Sequence, residues 1–273
     1  MINLLVWSKD RACQLDCLLR SLPKDFFGHV TLIYKTSDDK FDAGYNLVKK
    51  NHPNVIFWKE GEKSLADLTT LFLNNEADQG SKIALSTDDT VIFKEPPMTA
   101  EEVEKTFTLE TVTFSLRYGF NTIVQDCHQG TYQPSLNVYQ DNGKYISWNA
   151  DHYHPFDNYG YQFGLDMHVY DARLFAKLAS QINFKTTNQL ETGLYAIRYR
   201  APRIIHSFKH SIAVNIPCNN MSGITRSGEK YPFTIESLND AFLDGYVIDL
   251  DTIRNDKIVG SHQEVNWSLK KVS

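Results

Sequence analysis

Short apolar runs alternate with amphipathic segments over the first third of the chain. The apolar runs predict strands at residues 2–7, 30–34, 55–58 and 83–85. The segments between them predict helices at residues 13–22, 45–51 and 65–74. Strands and helices that alternate in this way are typical of a mostly parallel sheet with helices on its faces and right-handed crossovers. We therefore expect an α/β fold.

The pattern becomes less regular after residue 95. Further strands are predicted at residues 111–117, 163–170, 204–216 and 246–250. Further helices are predicted at residues 101–105, 172–181, 187–199 and 235–242. Residues 131–161 are rich in Tyr, Asn, Asp and Gly, which indicates a long loop or hairpin region that covers a site. No repeat or linker divides the chain, so we expect one domain with two sub-regions.

The composition is that of an ordinary globular protein, with 273 residues, of which 42% are hydrophobic and 22% charged. The formal net charge is −5 and no basic stripe is present, so a nucleic-acid partner is not expected. No apolar run has membrane-spanning length, and the first residues lack the basic leader of a signal peptide. We therefore expect a cytoplasmic location and no transmembrane segment.

The four cysteines are Cys13, Cys17, Cys127 and Cys218. They form no CxxC pair, and their spacing does not match a zinc site. Cys13 and Cys17 are four residues apart and should share one face of the first helix, where small apolar residues pack into a core. We expect free buried thiols in a reducing compartment.

The most informative stretch covers residues 82–93 and reads KIALSTDDTVIF. Asp88 and Asp89 follow a buried strand, and ligands of open α/β sheets bind beyond the carboxyl ends of the strands. Carboxylates at such a place can hold Mg²⁺ or Mn²⁺, which share their remaining ligand positions with substrate phosphates. A polar turn between two strands would explain the same residues. Neither a GxGxxG fingerprint nor a P-loop is present.

Several segments together resemble a bacterial and viral group of glycosyltransferases with the GT-A fold. The matching segments are SKDRACQLDCLLRSL, VTLIYKTSDDKFDAGY, ALSTDDTVIF, TFSLRYGFNT, FGLDMHVYDARLF and FKTTNQLETGL. ALSTDDTVIF is also similar to the acidic motif of exostosin-like enzymes. No single segment is specific, and the resemblance rests on their order and spacing over most of the chain.

The resemblance implies a Rossmann-like GT-A sheet with a smaller acceptor-side sub-region. Residues 1–95 would form the nucleotide-sugar-binding half and residues 96–273 the acceptor-side half of one domain, 1–273. A nucleotide sugar, with a UDP-sugar the first choice, would be the donor. A saccharide or another hydroxyl compound would be the acceptor, and Mn²⁺ or Mg²⁺ the cofactor.

The acidic motif departs from the DxD pattern of that fold at its first position. Thr87 stands where the pattern has its first aspartate, which often contacts the ribose, so that contact is expected to be weaker. Asp89 then aligns with the metal-binding acid, and Asp88 is the second candidate ligand. In a register shifted by one residue, Asp88 takes the first role and Thr90, a poor metal ligand, takes the last.

Two acids in the second half are candidate catalytic residues. Glu191, in FKTTNQLETGL, resembles the acceptor-side acid of the group and is the first candidate for the general base. Its place near a helix N-terminus predicts a stabilised ionised form, although it could instead only cap that helix. Asp166 is a lone acid in an apolar strand, so it needs a partner, which could be an acceptor hydroxyl or a structural hydrogen bond.

The candidate donor-binding residues follow the ends of the predicted strands. They are Lys9, Asp10, Arg11, Tyr34, Lys35, Thr87, Asp88 and Arg117. The ring of Tyr34 could stack on the base of the nucleotide. Arg117 could hold a phosphate or the acceptor, or form a plain ion pair.

Three further residues complete the candidate site. Enzymes of this fold often supply a late histidine to the metal, so His262 is a candidate third ligand beside Asp88 and Asp89, or else a surface histidine. Tyr145 and Trp148 could form an acceptor-binding platform for a sugar face, or they could anchor the long loop.

Two other functions are compatible with the sequence. A sugar-phosphate nucleotidylyltransferase shares the architecture but usually has a Gly-rich loop after its first strand, and WSKDRACQ contains no glycine. A non-catalytic nucleotide or carbohydrate binder would explain Thr87 in the acidic motif. Tight nucleotide binding without turnover would favour the binder.

Overall fold

The computed structural model describes residues 1–126, 131–219 and 231–272. The strands are β1 (Ile2–Lys9), β2 (Phe27–Lys35), β3 (Ile56–Lys59), β4 (Lys82–Thr87), β5 (Thr90–Ile92), β6 (Thr111–Ser115), β7 (Val124–Asp126), β8 (Thr131–Tyr132), β9 (Gln140–Asp141), β10 (Tyr145–Asn149), β11 (His168–Asp171), β12 (Ile204–Phe208), β13 (Ala213–Asn215), β14 (Tyr246–Ile248) and β15 (Leu269–Lys271). The α-helices are α1 (Ala12–Ser21), α2 (Asp39–Asn51), α3 (Leu65–Gln79), α4 (Ala100–Glu104), α5 (Ala172–Ala179), α6 (Thr187–Ala196), α7 (Ile235–Leu243) and α8 (Leu250–Arg254).

The main sheet has nine strands in the order β3-β2-β1-β4-β11-β6-β12-β10-β9. Strands β1 to β4 pair in parallel through crossover helices, while β11 and β10 run against their neighbours. Strand β6 again runs in the direction of β4 and pairs in parallel with β12. The prediction of an α/β fold with a mostly parallel sheet flanked by helices is confirmed.

Strand β1 is buried on both faces, and its side chains divide the apolar core into two layers. Leu4 and Val6 belong to the layer that contains residues of α1, α2 and α7. Leu5 and Trp7 point the other way, into the layer that contains residues of α3 and α5. Successive strand residues face opposite sides of a sheet, and burial of one leucine side chain contributes about 1.5–3 kcal/mol. The two layers therefore hold β1 at the centre of the fold.

Two predicted strands are wrong in their extent. In the region predicted at 163–170, the strand begins only at His168. The residue before it, Met167, has a positive φ of 52°, which is not an extended conformation. The region predicted at 204–216 is divided into β12 and β13, which belong to different sheets. The polar residues between Phe208 and Ile212 thus mark a change of direction that places Asn215 away from the main sheet.

The region predicted as a long loop or hairpin at 131–161 contains a hairpin of β9 and β10 that belongs to the main sheet. Strand β10 has buried Ile146 and Trp148 on alternate positions and pairs with β12. The helix predicted at 187–199 ends at Ala196, and a 3₁₀ turn covers residues 198–200. Thr186 caps that helix.

The thiols of Cys13, Cys17 and Cys218 are free and buried, as predicted. Burial raises the pKa of each of the three to about 12. Cys127 lies outside the described residues. No helix in the described part of the chain is long and apolar enough to cross a membrane.

Candidate functional site

The acidic residues lie at the carboxyl edge of the sheet, immediately after β4. Thr87 ends β4 beside Trp7 of β1, and Asp88 and Asp89 form the turn that leads into β5. Strand β5 leaves the main sheet and pairs with β13, and Asp88 and Asp89 line a small recess here together with Gln14 and Cys218. The polar turn that the sequence allows is therefore present, at the edge of the sheet where ligands of α/β proteins bind.

The topology brings residues from distant parts of the chain to this edge. Strand β11 is antiparallel to β4, so Asp166, just before β11, lies next to Thr87 at the end of β4. Strand β6 runs in the direction of β4, so Arg117, just after β6, reaches the same edge. Asn215 at the end of β13 forms a bridge to His262, which brings the C-terminal segment there.

Asp88 is buried completely beneath the recess. The hydroxyl of Ser8, at the end of β1, donates to Oδ2 of Asp88 over 2.6 Å and also contacts the hydroxyl of Tyr45. The Oδ1 atom contacts the guanidinium of Arg11. Burial, with the nearby charge of Asp89, raises the pKa of Asp88 to about 6 despite the opposing charge of Arg11.

Asp89 is more accessible and has a different environment. Its Oδ2 accepts from Nη1 of Arg11 over 3.0 Å, and its Oδ1 accepts from the Thr87 hydroxyl and from Nδ2 of Asn215, both over 2.7 Å. Burial would raise the pKa of Asp89, but the charge of Arg11 and these hydrogen bonds outweigh it and lower the pKa. Asp89 is thus the more strongly ionised member of the pair.

Arg11 stands between the two carboxylates. It is the N-cap residue of α1 and makes no side-chain cap bond, so its side chain extends to Asp88 and Asp89 instead. The Nη1 atom also donates to the backbone oxygen of Cys218 over 3.3 Å. Burial opposes the charged form, yet the two carboxylates hold the pKa of Arg11 above its ordinary value. The guanidinium therefore occupies the position at which a cation would bind both acids.

A second arginine pairs with Asp166. Nη1 of Arg117 lies 3.3 Å from Oδ2 of Asp166 and donates to Nε2 of His262 over 2.9 Å. Gly164 makes room for this arrangement, because a Cβ there would lie 3.1 Å from Nη2 of Arg117 and 2.7 Å from the ring of His168. The space at Gly164 thus helps to define where the buried guanidinium lies.

A chain of hydrogen bonds joins the two ion pairs. An arginine can only donate hydrogen bonds, so Nε2 of His262 accepts from Arg117. The other ring nitrogen, Nδ1, then donates to Oδ1 of Asn215 over 3.1 Å. The amide of Asn215 then donates to Asp89.

Thr87 lies between the two acidic groups. Its hydroxyl contacts Oδ1 of Asp89 over 2.7 Å and also contacts Oδ1 of Asp166. A hydroxyl has one hydrogen and can donate to only one of these oxygens at a time. Negative charge is therefore concentrated at Thr87, and Arg11 and Arg117 lie on either side of it.

Glu191 lies beside this cluster, in the second turn of α6. Its Oε1 accepts from the backbone N–H of Leu165 over 3.3 Å, and its carboxylate lies close to the hydroxyl of Tyr161. Thr186, rather than Glu191, caps the helix. Burial, with the charge of Asp166, raises the pKa of Glu191 to about 7, contrary to the ionised form that a helix N-terminus favours.

Four residues predicted to bind the donor lie outside this cluster. Lys9 and Lys35 are exposed at the ends of β1 and β2. The carboxylate of Asp10 accepts from the backbone N–H and hydroxyl of Ser37 over 2.7 and 2.6 Å, which ties together the loops after the two strands. Tyr34 is buried, and its ring stacks on a neighbouring tyrosine with centroids 4.7 Å apart, so it presents no open face for a base.

The two residues predicted as an acceptor platform also lie elsewhere. Trp148 is 3% exposed, and its indole N–H donates to the backbone oxygen of Tyr159 over 2.7 Å. Tyr145 packs between Phe114 and His206 on the main sheet. Both rings anchor β10 rather than face the cluster at Thr87.

Sequence reasoning missed three residues of the site. Ser8 donates a hydrogen bond to Asp88, Asn215 donates one to Asp89, and the hydroxyl of Tyr161 lies close to Glu191. Ser8 and Asn215 lie at the ends of strands whose other residues are largely apolar, which is a signal that the sequence contains. Tyr161 carries no comparable signal, because its partner is 30 residues away on another element.

The residues do not fit a divalent ion held by Asp88, Asp89 and His262. Both oxygens of Asp89 already accept hydrogen bonds, and the guanidinium of Arg11 contacts both acids. The lone pair of His262 accepts from Arg117. Within residues 1–126, 131–219 and 231–272, no three His, Cys, Asp or Glu side chains are grouped as metal ligands.

The fold and site define an α/β protein with an acidic recess, flanked by two arginines, at the carboxyl edge of a mostly parallel sheet. No protein-family model matches the sequence. No curated protein matches it either.

Three solved structures illustrate the similarity to known folds. Residues 1–349 of TarS from S. aureus are 12% identical with a TM-score of 0.45, and the alignment covers 78% of this chain and 59% of TarS. The mannosyltransferase PcManGT from Pyrobaculum calidifontis, in complex with GDP-Man and Mn²⁺, is 10% identical with a TM-score of 0.42, covering 81% and 58%. A 4-diphosphocytidyl-2C-methyl-D-erythritol synthase is 8% identical with a TM-score of 0.42, covering 81% and 94%. The chain thus spans less than two thirds of the first two proteins.

Proposed function

We propose that the protein transfers a glycosyl group from a nucleotide sugar to a hydroxyl acceptor at the recess beside Thr87. The observation that carries the proposal is the meeting of two arginines and three aspartates, with Glu191 beside them, at the carboxyl edge of the sheet. Ligands of open α/β sheets bind at this edge. The sequence resemblance to GT-A glycosyltransferases supports the same reaction and makes a UDP-sugar the first donor to test.

The transfer breaks the bond between the anomeric carbon and the diphosphate and forms a bond from that carbon to the acceptor oxygen. Negative charge develops on the leaving diphosphate, and positive groups held in place beforehand stabilise it. We assign this role to Arg117 and Arg11, whose guanidinium groups present several N–H donors in a fixed geometry. The diphosphate would replace part of their present pairing with the aspartates. Because Asp88, Asp89 and His262 do not fit a metal ion as arranged, no step is assigned to one.

Glu191 takes the proton that the acceptor hydroxyl loses. A general base is most effective when its pKa is close to the working pH, and burial raises the pKa of Glu191 to about 7. Asp166, positioned by Arg117, lies at the same edge and would accept a hydrogen bond from a sugar hydroxyl. Direct attack of the deprotonated acceptor on the anomeric carbon would invert that carbon, so the stereochemistry of the product is part of the proposal to be tested.

A thermal-shift panel of nucleotides and nucleotide sugars tests the proposal, because a ligand that binds only the folded protein raises Tm. Each ligand is measured with Mn²⁺ and with a chelator. We expect at least one nucleotide sugar to raise Tm, and we expect Asp166→Asn to reduce that rise. Asp171→Asn, at the far end of β11 in an ion pair with Lys82, is the matched control.

Two results would contradict the proposal. If no nucleotide or nucleotide sugar raises Tm, the recess does not bind a donor. If a nucleoside triphosphate and a sugar 1-phosphate yield pyrophosphate, the protein is instead a nucleotidylyltransferase.

A further inference from the structure

The side-chain amide of Gln14 is buried and unpaired within the described part of the chain. Gln14 lies on α1 and is 4% exposed. Neither Oε1 nor Nε2 of its side chain has a hydrogen-bond partner among the residues that the structure describes. Buried polar atoms are almost always hydrogen-bonded, and an unpaired one destabilises the folded protein. The transfer step proposed above does not use this amide.

Gln14 lines the recess beside the acidic pair, together with Asp88 and Asp89. Gln14 and Cys17 are three residues apart on α1 and share one face of the helix, and both line the recess. Arg11, three residues before Gln14, contacts both aspartates. The unpaired amide is therefore held where a group of the proposed donor could reach it.

Most of the remaining wall of the recess is apolar. It includes the side chains of Cys17, Val91, Ile216, Cys218, Ile253 and Trp267. The space in the recess is about 280 Å³, part of it open to solvent. Pockets that hold a whole small molecule usually measure about 300–1,000 Å³, so this recess suits a substituent of a larger ligand. That substituent needs apolar surface as well as hydrogen-bonding atoms.

We propose that the recess binds the N-acetylamino group of the donor sugar and that Gln14 recognises the amide of this group. The inference rests on the proposed function, because it assigns a substituent of the same nucleotide sugar. A secondary amide has one C=O acceptor and one N–H donor, and the amide of Gln14 offers Nε2 as the donor and Oε1 as the acceptor that match them. The methyl group of the substituent would contact the apolar wall.

Other substituents of a sugar match the recess less well. A carboxylate has only acceptors and an ammonium group only donors, so either one would leave one atom of the Gln14 amide unpaired. A hydroxyl can donate and accept, but it brings no apolar surface to the wall around it. An N-acetylamino group satisfies both atoms of the amide and the wall.

Calorimetric titration with two pairs of nucleotide sugars tests the subsite. The pairs are UDP-N-acetylglucosamine with UDP-glucose, and UDP-N-acetylgalactosamine with UDP-galactose, whose members differ only in the substituent of one carbon. We expect wild type to bind the N-acetylated member of at least one pair about tenfold or more tightly. Gln14→Met keeps the length of the side chain without its amide, so it should lose most of this preference.

The ligand-free protein gives a second measurement. Gln14→Met should raise its Tm by about 2–4 °C, because an apolar side chain replaces an unpaired buried amide. Gln79→Met, at an exposed position at the end of α3, is the matched control and should change neither Tm nor the preference.

Three results would overturn the subsite. Wild type could bind both members of each pair equally, or Gln14→Met could keep the wild-type preference. A lower Tm of ligand-free Gln14→Met would show that the amide is already satisfied inside the protein.

N-methylacetamide, which carries the amide without a nucleotide or a sugar, separates this result from that of the proposed function. The side-chain amide resonance of Gln14 is identified in the NMR spectrum by its absence from Gln14→Met. N-methylacetamide should shift this resonance, whereas methanol at the same concentration should not. A shift in a protein that binds no nucleotide sugar would support the amide subsite and contradict the transferase. Nucleotide-sugar binding with neither the preference nor the shift would contradict the subsite alone.

Discussion

Arg11 contacts Asp89 over 3.0 Å, although 78 residues separate them in the chain. The contact is possible because β1 and β4 are neighbours in the sheet, so the residues that follow them meet at one edge. Arg11 also contacts Asp88, which is buried completely. One guanidinium thus balances most of the charge of two acids, and this relationship determines how the site responds to substitution and to metal ions.

Arg11→Ala should destabilise the protein strongly. It would leave the buried carboxylate of Asp88 without its counter-ion, and removal of one partner of a buried ion pair lowers the free energy of unfolding by about 3–5 kcal/mol. Urea unfolding at pH 7 measures the change. Lys105→Ala, which breaks an exposed pair with Glu101, is the control and should change stability by about 0–1 kcal/mol. Equal effects of the two substitutions would show that Arg11 does not balance the acids.

Manganese alone should not raise the Tm of the wild-type protein. The Arg11 guanidinium contacts both carboxylates and leaves them unavailable to an ion. Arg11→Met removes the guanidinium but keeps much of the side-chain volume, so two uncompensated carboxylates should then bind Mn²⁺ and raise Tm. The account is contradicted if Mn²⁺ stabilises wild type and Asp89→Ala abolishes that effect.

The free energy of unfolding should depend on pH through Glu191. The ordinary pKa of a glutamate is 4.5, and burial raises that of Glu191 to about 7. Between these pH values the folded protein holds a proton on Glu191 that the unfolded chain has released. The free energy of unfolding therefore decreases as pH rises from about 5 to 7. The difference in stability between wild type and Glu191→Gln should change by up to about 1.4 kcal/mol per pH unit in this window.

Urea unfolding at pH 5, 6, 7 and 8 measures this dependence. Glu62→Gln, at an exposed position, is the control and should keep the slope of wild type. A constant difference between wild type and Glu191→Gln across the series would mean that the Glu191 carboxyl does not titrate in this range.

Gly164→Ala should displace the second arginine. The added Cβ would lie 2.7 Å from the ring of His168 and 3.1 Å from Nη2 of Arg117, which is closer than ordinary contacts. Such overpacking lowers the free energy of unfolding by about 1–3 kcal/mol. Gly61→Ala is the matched control, since a Cβ there would meet nothing within 4 Å. Unchanged stability and unchanged nucleotide binding in Gly164→Ala would show that this space does not position Arg117.

The first half of the fold could be predicted because its information is local. The strands at β1 to β4 are apolar runs, and the acids after β4 interrupt one of them, so the sequence locates both the sheet and its carboxyl edge. The alternation of strands and helices then limits the possible topologies. This reasoning located Asp88 and Asp89 before any contact was known.

The partners of those acids could not be predicted, because they depend on long-range packing. The guanidinium of Arg11 reaches Asp89 only because α1 starts without a side-chain cap and faces the turn after β4. The short strand β10 is buried on the main sheet, which removes Trp148 from the surface. A pattern of residue types cannot tell a ring that anchors a strand from one that binds a ligand.

The most direct test of the transferase account compares turnover with binding in Glu191→Gln. A nucleotide sugar that raises the Tm of wild type is incubated with a saccharide panel, and release of the nucleoside diphosphate is measured. Glu191→Gln keeps the shape of the side chain but cannot take a proton, and loss of a general base lowers rates by about 10²–10⁴-fold.

We expect Glu191→Gln to show the same Tm rise with the nucleotide sugar as wild type and to release the diphosphate at least about a hundredfold more slowly. Release at the wild-type rate would contradict the account, because Glu191 would then not be the base. Absence of release from wild type with every donor and acceptor would contradict the transferase itself.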